Sequence, residues 1–304
     1  MTNTQPKNLK HLPFGGASCV INPDMDLVVQ QCIIDSAKDM CLNNTDIQQQ
    51  FVQSYFAWLQ SSTHNKLQNI DKFDVLSFSN GTTEVFDKFY INNSSRRFRI
   101  FRGEYMYHSG TWKTSHPNWK YIEDEPLAVG DAVIVSTPFS DSGNVHPGLA
   151  SVLDQCKDLH IPVLIDCAFV GICDNIEFDF DHPAISDISF SLSKTFPVAN
   201  LRIGMRCSRQ DNDDGLLIHQ KTNYNNRLGA SVGLKLISKY SVDWNVQTYK
   251  QHQEKLCKLL GVVPSNTVIF GLGNDQYQQY NRGGPNNRLS LARWLFSGQL
   301  PDQT

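Results

Sequence analysis

Ser191-Leu192-Ser193-Lys194-Thr195-Phe196-Pro197-Val198-Ala199-Asn200-Leu201-Arg202-Ile203-Gly204 sets one lysine among small hydroxyl residues and places an arginine eight positions after it. A lysine amine becomes a nucleophile when burial or a neighbouring cation lowers its pKa, and its usual covalent target is a carbonyl carbon. The planar donor fork of Arg202 suits a phosphate. The stretch therefore predicts a covalent attachment point with an anion anchor close by.

Outward from this stretch the chain alternates between strand-like and helix-like runs. Val75-Leu76-Ser77-Phe78-Ser79 reads as a strand, and Asn80-Gly81-Thr82-Thr83-Glu84 opens a helix to about residue 90. Further strands are predicted over 98–101, 132–136, 163–165, 188–191 and 201–207, with a helix over 147–159. Such alternation implies an α/β fold with a mainly parallel central sheet and helices on both faces. Residues 1–20 read as an extended arm around Pro13 and Gly15-Gly16, followed by helices over 24–42 and 45–61, the second opening at Asn44-Thr45-Asp46. The last third reads as helices over 226–239 and 242–260, strand-like pieces at 268–270 and 288–291, and a polar Gln/Asn/Gly-rich loop over 273–287. The expected partition is an N-terminal arm and helices (1–65), a large α/β domain (66–225) and a small C-terminal α+β domain (226–304).

A chain of 304 residues can bury a sizeable core. With 27 Lys plus Arg against 30 Asp plus Glu, the net charge of -3 gives no electrostatic reason to expect nucleic acid or an anionic membrane as partner. The eight cysteines form no CxxC pair, and several, such as Cys167, sit in apolar runs, which predicts free thiols in a reducing compartment and no zinc site. Residues 1–10 are polar, and no window approaches eighteen continuous apolar residues. A cytoplasmic protein is expected. GxGxxG and GxxxxGK[ST] are both absent, which argues against a nucleotide-binding α/β protein built on the Gly81 turn.

The Ser-x-Ser-Lys string with Arg-x-Gly in register resembles the lysine motif of the pyridoxal-phosphate enzymes of fold type I, the aspartate-aminotransferase-like superfamily that includes the class I and II aminotransferases. Five further segments resemble that family in the same chain order. Asn80-Gly81-Thr82-Thr83-Glu84 matches its phosphate-binding turn, where amides at a helix start bind an anion. Arg102-Gly103-Glu104-Tyr105-Met106-Tyr107-His108 carries the aromatic that stacks on the cofactor ring, Tyr105 being better aligned than Tyr107. Ser136-Thr137-Pro138-Phe139-Ser140-Asp141-Ser142-Gly143 matches a Pro-Asn-Asn-Pro-Thr-Gly loop, with Ser140 where the family has the asparagine that binds the ring hydroxyl. Val163-Leu164-Ile165-Asp166-Cys167-Ala168-Phe169 matches Asp-x-Ala-Tyr, so that Asp166 pairs with the pyridine nitrogen and Ala168 lines the ring, while Phe169 lacks the tyrosine hydroxyl. Asn286-Asn287-Arg288-Leu289-Ser290-Leu291 matches the strand whose arginine binds a substrate α-carboxylate, with Arg282 and Arg293 as competitors.

The resemblance implies pyridoxal 5'-phosphate on Lys194 as a Schiff base, a phosphate held by Gly81, Thr82, Thr83, Ser191, Ser193 and Arg202, amino acid and oxo acid substrates, and a homodimer. It covers residues 75–207 well and the C-terminal third poorly. The implied activity is an aminotransferase. Lyase or decarboxylase chemistry on the same cofactor is the alternative within the fold, and a catalytically inactive binding relic, marked by Phe169 and Ser140, is the alternative of another class.

Overall fold

The computed structural model describes residues 12–40, 46–115, 119–223 and 225–300. Its helices are α1 (Pro23–Met40), α2 (Ile47–Gln60), α3 (Thr82–Asn92), α4 (Met106–Ser115), α5 (Leu149–Asp158), α6 (Gly215–Thr222), α7 (Arg227–Lys239) and α8 (Trp244–Leu260). Its strands are β1 (Lys66–Gln68), β2 (Val75–Ser79), β3 (Arg97–Ile100), β4 (Trp119–Tyr121), β5 (Asp131–Ser136), β6 (Val163–Asp166), β7 (Glu177–Asp179), β8 (Ile185–Ser191), β9 (Gly204–Ser208), β10 (Val263–Pro264), β11 (Phe270–Gly273) and β12 (Asn287–Ser290).

Seven strands form the central sheet in the order β2-β9-β8-β6-β5-β3-β4. From β8 to β4 the pairings are parallel, whereas β9 runs antiparallel to both β8 and β2. Alternate residues of one strand feed different cores. Val133 and Val135 of β5 and Val163 and Ile165 of β6 pack with α2, α5 and α7, while Ala132, Ile134 and Leu164 pack with Val85, Phe86 and Phe89 of α3. A sheet covered on both faces has no polar side, which is why β5 and β6 read as continuous apolar runs.

The helices follow their apolar periodicity. In α2 the buried Phe51, Val52, Tyr55, Trp58 and Leu59 recur at helical spacing, and each fully buried side chain contributes about 1.5–3 kcal/mol of transfer free energy. A second, antiparallel sheet, β10-β11-β12, packs its Phe270 and Leu289 against Leu256 and Cys257 of α8. Residues 12–22 of the arm have no regular structure but run along this region, with Ser290 N donating to Phe14 O at 2.7 Å and Ile21 N to Ala292 O at 3.1 Å. Among the described residues no helix is long and apolar enough to cross a membrane.

Several boundaries differ from the sequence expectation for local reasons. The strand expected over 201–207 starts only at Gly204, because Ala199–Leu201 forms a 3-10 turn and Arg202 takes a left-handed conformation with φ of 55°. Helix α4 was not expected, since its His108-Ser109-Gly110 centre breaks the apolar period and includes a poor helix former. The polar loop over 273–287 contains a 3-10 helix at Asp275–Tyr280. The expected α2 opening residues Asn44 and Thr45, and the polar segment 1–10, lie outside the described residues.

Candidate functional site

The carboxyl ends of the parallel strands face one cavity, as expected where crossovers diverge in an open α/β sheet. Register places Ser136 of β5 opposite Asp166 of β6, and Asp166 opposite Ser189 of β8. Because β9 is antiparallel, its first residue Gly204 pairs with both Ser79 and Ser191, which brings the turn after β2, the lysine segment after β8 and Arg202 before β9 to the same edge.

At one end of the cavity is an anion cradle. Gly81 is the N-cap of α3 with φ of 73°, so Thr82 and Thr83 occupy the first helical turn, where backbone amides lack intrahelical acceptors. Arg202 donates from Nη2 to Thr83 Oγ1 at 2.9 Å and from Nη1 to Ala199 O at 3.1 Å. A Cβ at Gly81 would stand 2.4 Å from the Arg202 guanidinium, and one at Gly204 would stand 2.8 Å from the Gly81 Cα. Only glycine at both positions lets these backbones and the arginine share the space. The Ser191 hydroxyl donates to Ile203 O at 3.1 Å and shares a hydrogen bond with the Ser193 hydroxyl at 2.9 Å. Asn226, the N-cap of α7, accepts from Gly229 N and donates to Asn80 Oδ1 and Leu201 O, both at 2.9 Å, tying α7 to the cradle.

Lys194 and Asp166 also line the cavity. Lys194 Nζ donates to the backbone carbonyl of Ala17. Asp166 is buried and accepts from Ser189 Oγ at 2.9 Å. Burial pushes its carboxyl up to about 7 against the pull of that bond, and the nearby Glu104 charge adds to the rise. Ala168 lines the cavity beside it and supplies a backbone N–H to the same carboxyl. Glu104, which the motif reading passed over, is itself buried, accepts from Ser136 N and Tyr105 N at 2.9 Å each and from the Ser136 hydroxyl, and is raised by burial. His108 shares a hydrogen bond with the Tyr90 hydroxyl and is held neutral, its pKa lowered by burial to about 3.

Tyr105 lines the cavity, stacked on Tyr107 with ring centroids 6.0 Å apart and planes tilted by 15°. Tyr107 instead donates to Asp87 Oδ1 at 2.9 Å and packs against the α3 core. Ser140 and Phe169 both reach the cavity, and Phe169 packs edge-on to Phe270 at 5.3 Å. Arg288 lines the cavity too, buried, donating from Nη1 to Ser140 O and from Nη2 to Gly16 O at 3.0 Å, with its guanidinium 4.0 Å above the Phe270 ring. Arg282 also lines the cavity, whereas Arg293 is exposed and outside it. Apart from the second candidates Tyr107 and Arg293, the residues singled out from the motifs converge on one cavity, with Gly81 against the Arg202 that lines it. The arm residues Gly16 and Ala17 were not anticipated, because they contribute carbonyls, which carry no side-chain signature.

The donor set fits a phosphorylated pyridine aldehyde: helix-start amides, hydroxyls and a guanidinium at one end, a lysine amine, a buried carboxyl at strand depth and an aromatic face. The family described as Aminotransferase class I and II matches residues 68–288. Similar solved structures include a probable N-succinyldiaminopimelate aminotransferase from Thermus thermophilus, at 13% identity and TM-score 0.65 over 93% of this chain and 92% of that one. Tyrosine aminotransferase from Leishmania infantum is 11% identical with TM-score 0.66, over 90% of this chain and 87% of that one. A C-S lyase from Staphylococcus hominis, solved with pyridoxal phosphate bound, is 12% identical with TM-score 0.62, over 90% of this chain and 80% of that one. No curated protein matches the sequence. At these identities the structures speak for the fold, while the family match spans well over half of the residues, and on that ground the chain belongs to the class I and II aminotransferase family.

Proposed function

We propose that this protein is a pyridoxal-phosphate-dependent aminotransferase, moving an amino group between an amino acid and a 2-oxo acid, with Lys194 as attachment point and proton carrier. One arrangement carries the reading: Lys194 and the buried Asp166 line the same cavity, and the Thr83–Arg202 cradle closes one end of it. Bound there, the cofactor supplies an electron-withdrawing ring next to the substrate α-carbon. Arg202, Thr82, Thr83, Ser191 and Ser193 hold its phosphate, and Tyr105 covers a ring face. Asp166 holds a positive charge at the ring nitrogen, a role its burial strengthens because a desolvated carboxylate gains most from a paired cation. Lys194 Nζ would be the attachment point for the cofactor aldehyde and, as a free amine, would take and return a proton within its reach. Arg288 orients a carboxylate. A homodimer, implied by the family resemblance, is part of the proposal.

Protein incubated with pyridoxal phosphate is expected to gain the absorption band of a lysine-bound aldehyde, bleached by borohydride. Lys194→Ala is expected to lack it while keeping the native circular dichroism. A band that survives in Lys194→Ala refutes the assignment. With a screened amino donor, oxo acid formed in step with amination of the cofactor supports transfer. Ammonia or carbon dioxide released instead identifies lyase or decarboxylase chemistry, and bound cofactor with no turnover of any donor identifies the inactive relic.

A further inference from the structure

A second carboxyl stands beside Asp166, and the proposed function does not use it. The chain turns after β3, where Glu104 N donates to Phe101 O at 3.2 Å and Gly103 takes φ of 85° against Asp141, which a Cβ there would approach to 2.6 Å. The turn sends the Glu104 side chain inward, where the residue is 1% exposed. Its Oε2 accepts from Ser136 N at 2.9 Å, its Oε1 accepts from Tyr105 N at 2.9 Å, and the Ser136 hydroxyl donates to the same Oε1.

Ser136 joins this carboxyl to the ring site. In the parallel pairing of β5 and β6 it lies opposite Asp166, and such partners point to the same face about 4.8 Å apart. Asp166 in turn lies opposite Ser189, whose hydroxyl donates to it at 2.9 Å. Glu104, Ser136, Asp166 and Ser189 therefore form one row across the strand ends, and Tyr105 is fastened to the same row through its amide.

The groups that bond to the two acids are neutral amides and hydroxyls. Two buried carboxylates this close repel, so the pair keeps a proton that separated acids would release. Burial raises both carboxyls, and the charge of Glu104 raises Asp166 further. Three donors aimed at Glu104, against a hydroxyl and an amide at Asp166, place the negative charge on Glu104 and the proton on Asp166. Around the pair, the charge of Lys194 lowers Asp166 and that of Arg282 lowers Glu104, while Tyr90, Tyr105 and Cys167 are raised by burial and His108 is lowered by it, which leaves all four neutral.

We propose that Glu104 is a positioning residue for the ring contact: its negative charge, set beside Asp166 through Ser136, keeps a proton on Asp166 for delivery to the ring nitrogen. When that nitrogen arrives, the proton moves from the Asp166 carboxyl to it, and Asp166 becomes the carboxylate paired with the new cation. No other bond changes. The proposal rests on the proposed function for the identity of the ring.

The test reads protons, not turnover. In the cofactor-free protein, the infrared band of a protonated carboxyl is followed from about pH 4 to about pH 9. The component missing from Asp166→Asn is expected to persist toward neutral pH in the wild type and to titrate roughly one pH unit or more lower in Glu104→Gln. Glu104→Asp keeps the charge and is expected to stay within about half a unit of the wild type. Calorimetry of pyridoxal phosphate loading near pH 6, in two buffers of different ionisation enthalpy, is expected to show Glu104→Gln taking up at least roughly half a proton more than the wild type. A titration unchanged in Glu104→Gln, equal proton uptake, a band lost from Glu104→Gln but kept in Asp166→Asn, or a shift in Glu104→Asp as large as that in the glutamine variant would each overturn the proposal. If Glu104→Gln lacks native circular dichroism, the wild-type band and Glu104→Asp decide. The two readings fail separately: a missing lysine-bound absorption band removes the reaction and leaves the proton on Asp166 standing, while an intact band with an unshifted titration removes only the role of Glu104.

Discussion

At the residue scale the decisive groups are Asp166 and its surroundings. Its pKa of about 7 lies above that of an exposed aspartate, so the folded protein without cofactor binds this proton more tightly than the unfolded chain. Stability from this group is therefore greatest below about pH 4 and is lost as pH rises toward 7, by on the order of 4 kcal/mol. Glu104 and Asp141, also raised by burial, act in the same direction. Urea unfolding of the cofactor-free protein across pH 4–8 is expected to show this fall, and Asp166→Asn to flatten it. The same variant in the cofactor-loaded enzyme is expected to lower kcat by a factor on the order of one hundred or more, measured by single-turnover absorbance, because a neutral amide holds no pyridinium charge. Lys194, Asp166, Arg202 and Arg288 were legible in the sequence because each side chain sits in a motif with fixed spacing. Glu104 was not, since its burial exists only after distant segments meet.

At the scale of elements, the cradle depends on a contact between two backbones. Gly204→Ala forces a methyl group to within 2.8 Å of the Gly81 Cα, and overpacking of this kind costs about 1–3 kcal/mol. Chemical denaturation is expected to show that loss, and titration with pyridoxal phosphate to show weaker binding, since β2 and β9 must part beside the proposed phosphate cradle. Asn226→Ala removes the α7 cap and its bonds to Asn80 and Leu201, and is expected to destabilise by about 1–2 kcal/mol. Apart from α4 and α6, the longer elements were legible because an apolar period over four or more residues survives single exceptions. The three-residue strands β1, β4 and β7 were not, because a period needs repeats, and the antiparallel course of β9 leaves no signal in its own residues, whose alternation is the same in either direction.

For the whole molecule, the partition expected at 65/66 and 225/226 is a proposal that limited proteolysis can test. Helix α7 packs on α1 and α2, and its Ala230, Val232 and Leu236 join the core of the large sheet. Because α7 belongs to that core, a nick near residue 225 is expected to leave two fragments that stay together on a sizing column, which moves the boundary past Lys239; fragments that separate would support the partition at 225/226. The other long-range dependence is the arm. Gly16 O meets Arg288 across 272 positions of chain, and Ala17 O meets Lys194 across 177. Contacts this remote close the largest loops and form late. Because Gly16 and Ala17 reach Arg288 and Lys194 through backbone carbonyls alone, unlatching this short segment would open one wall of the cavity without altering any side chain in it.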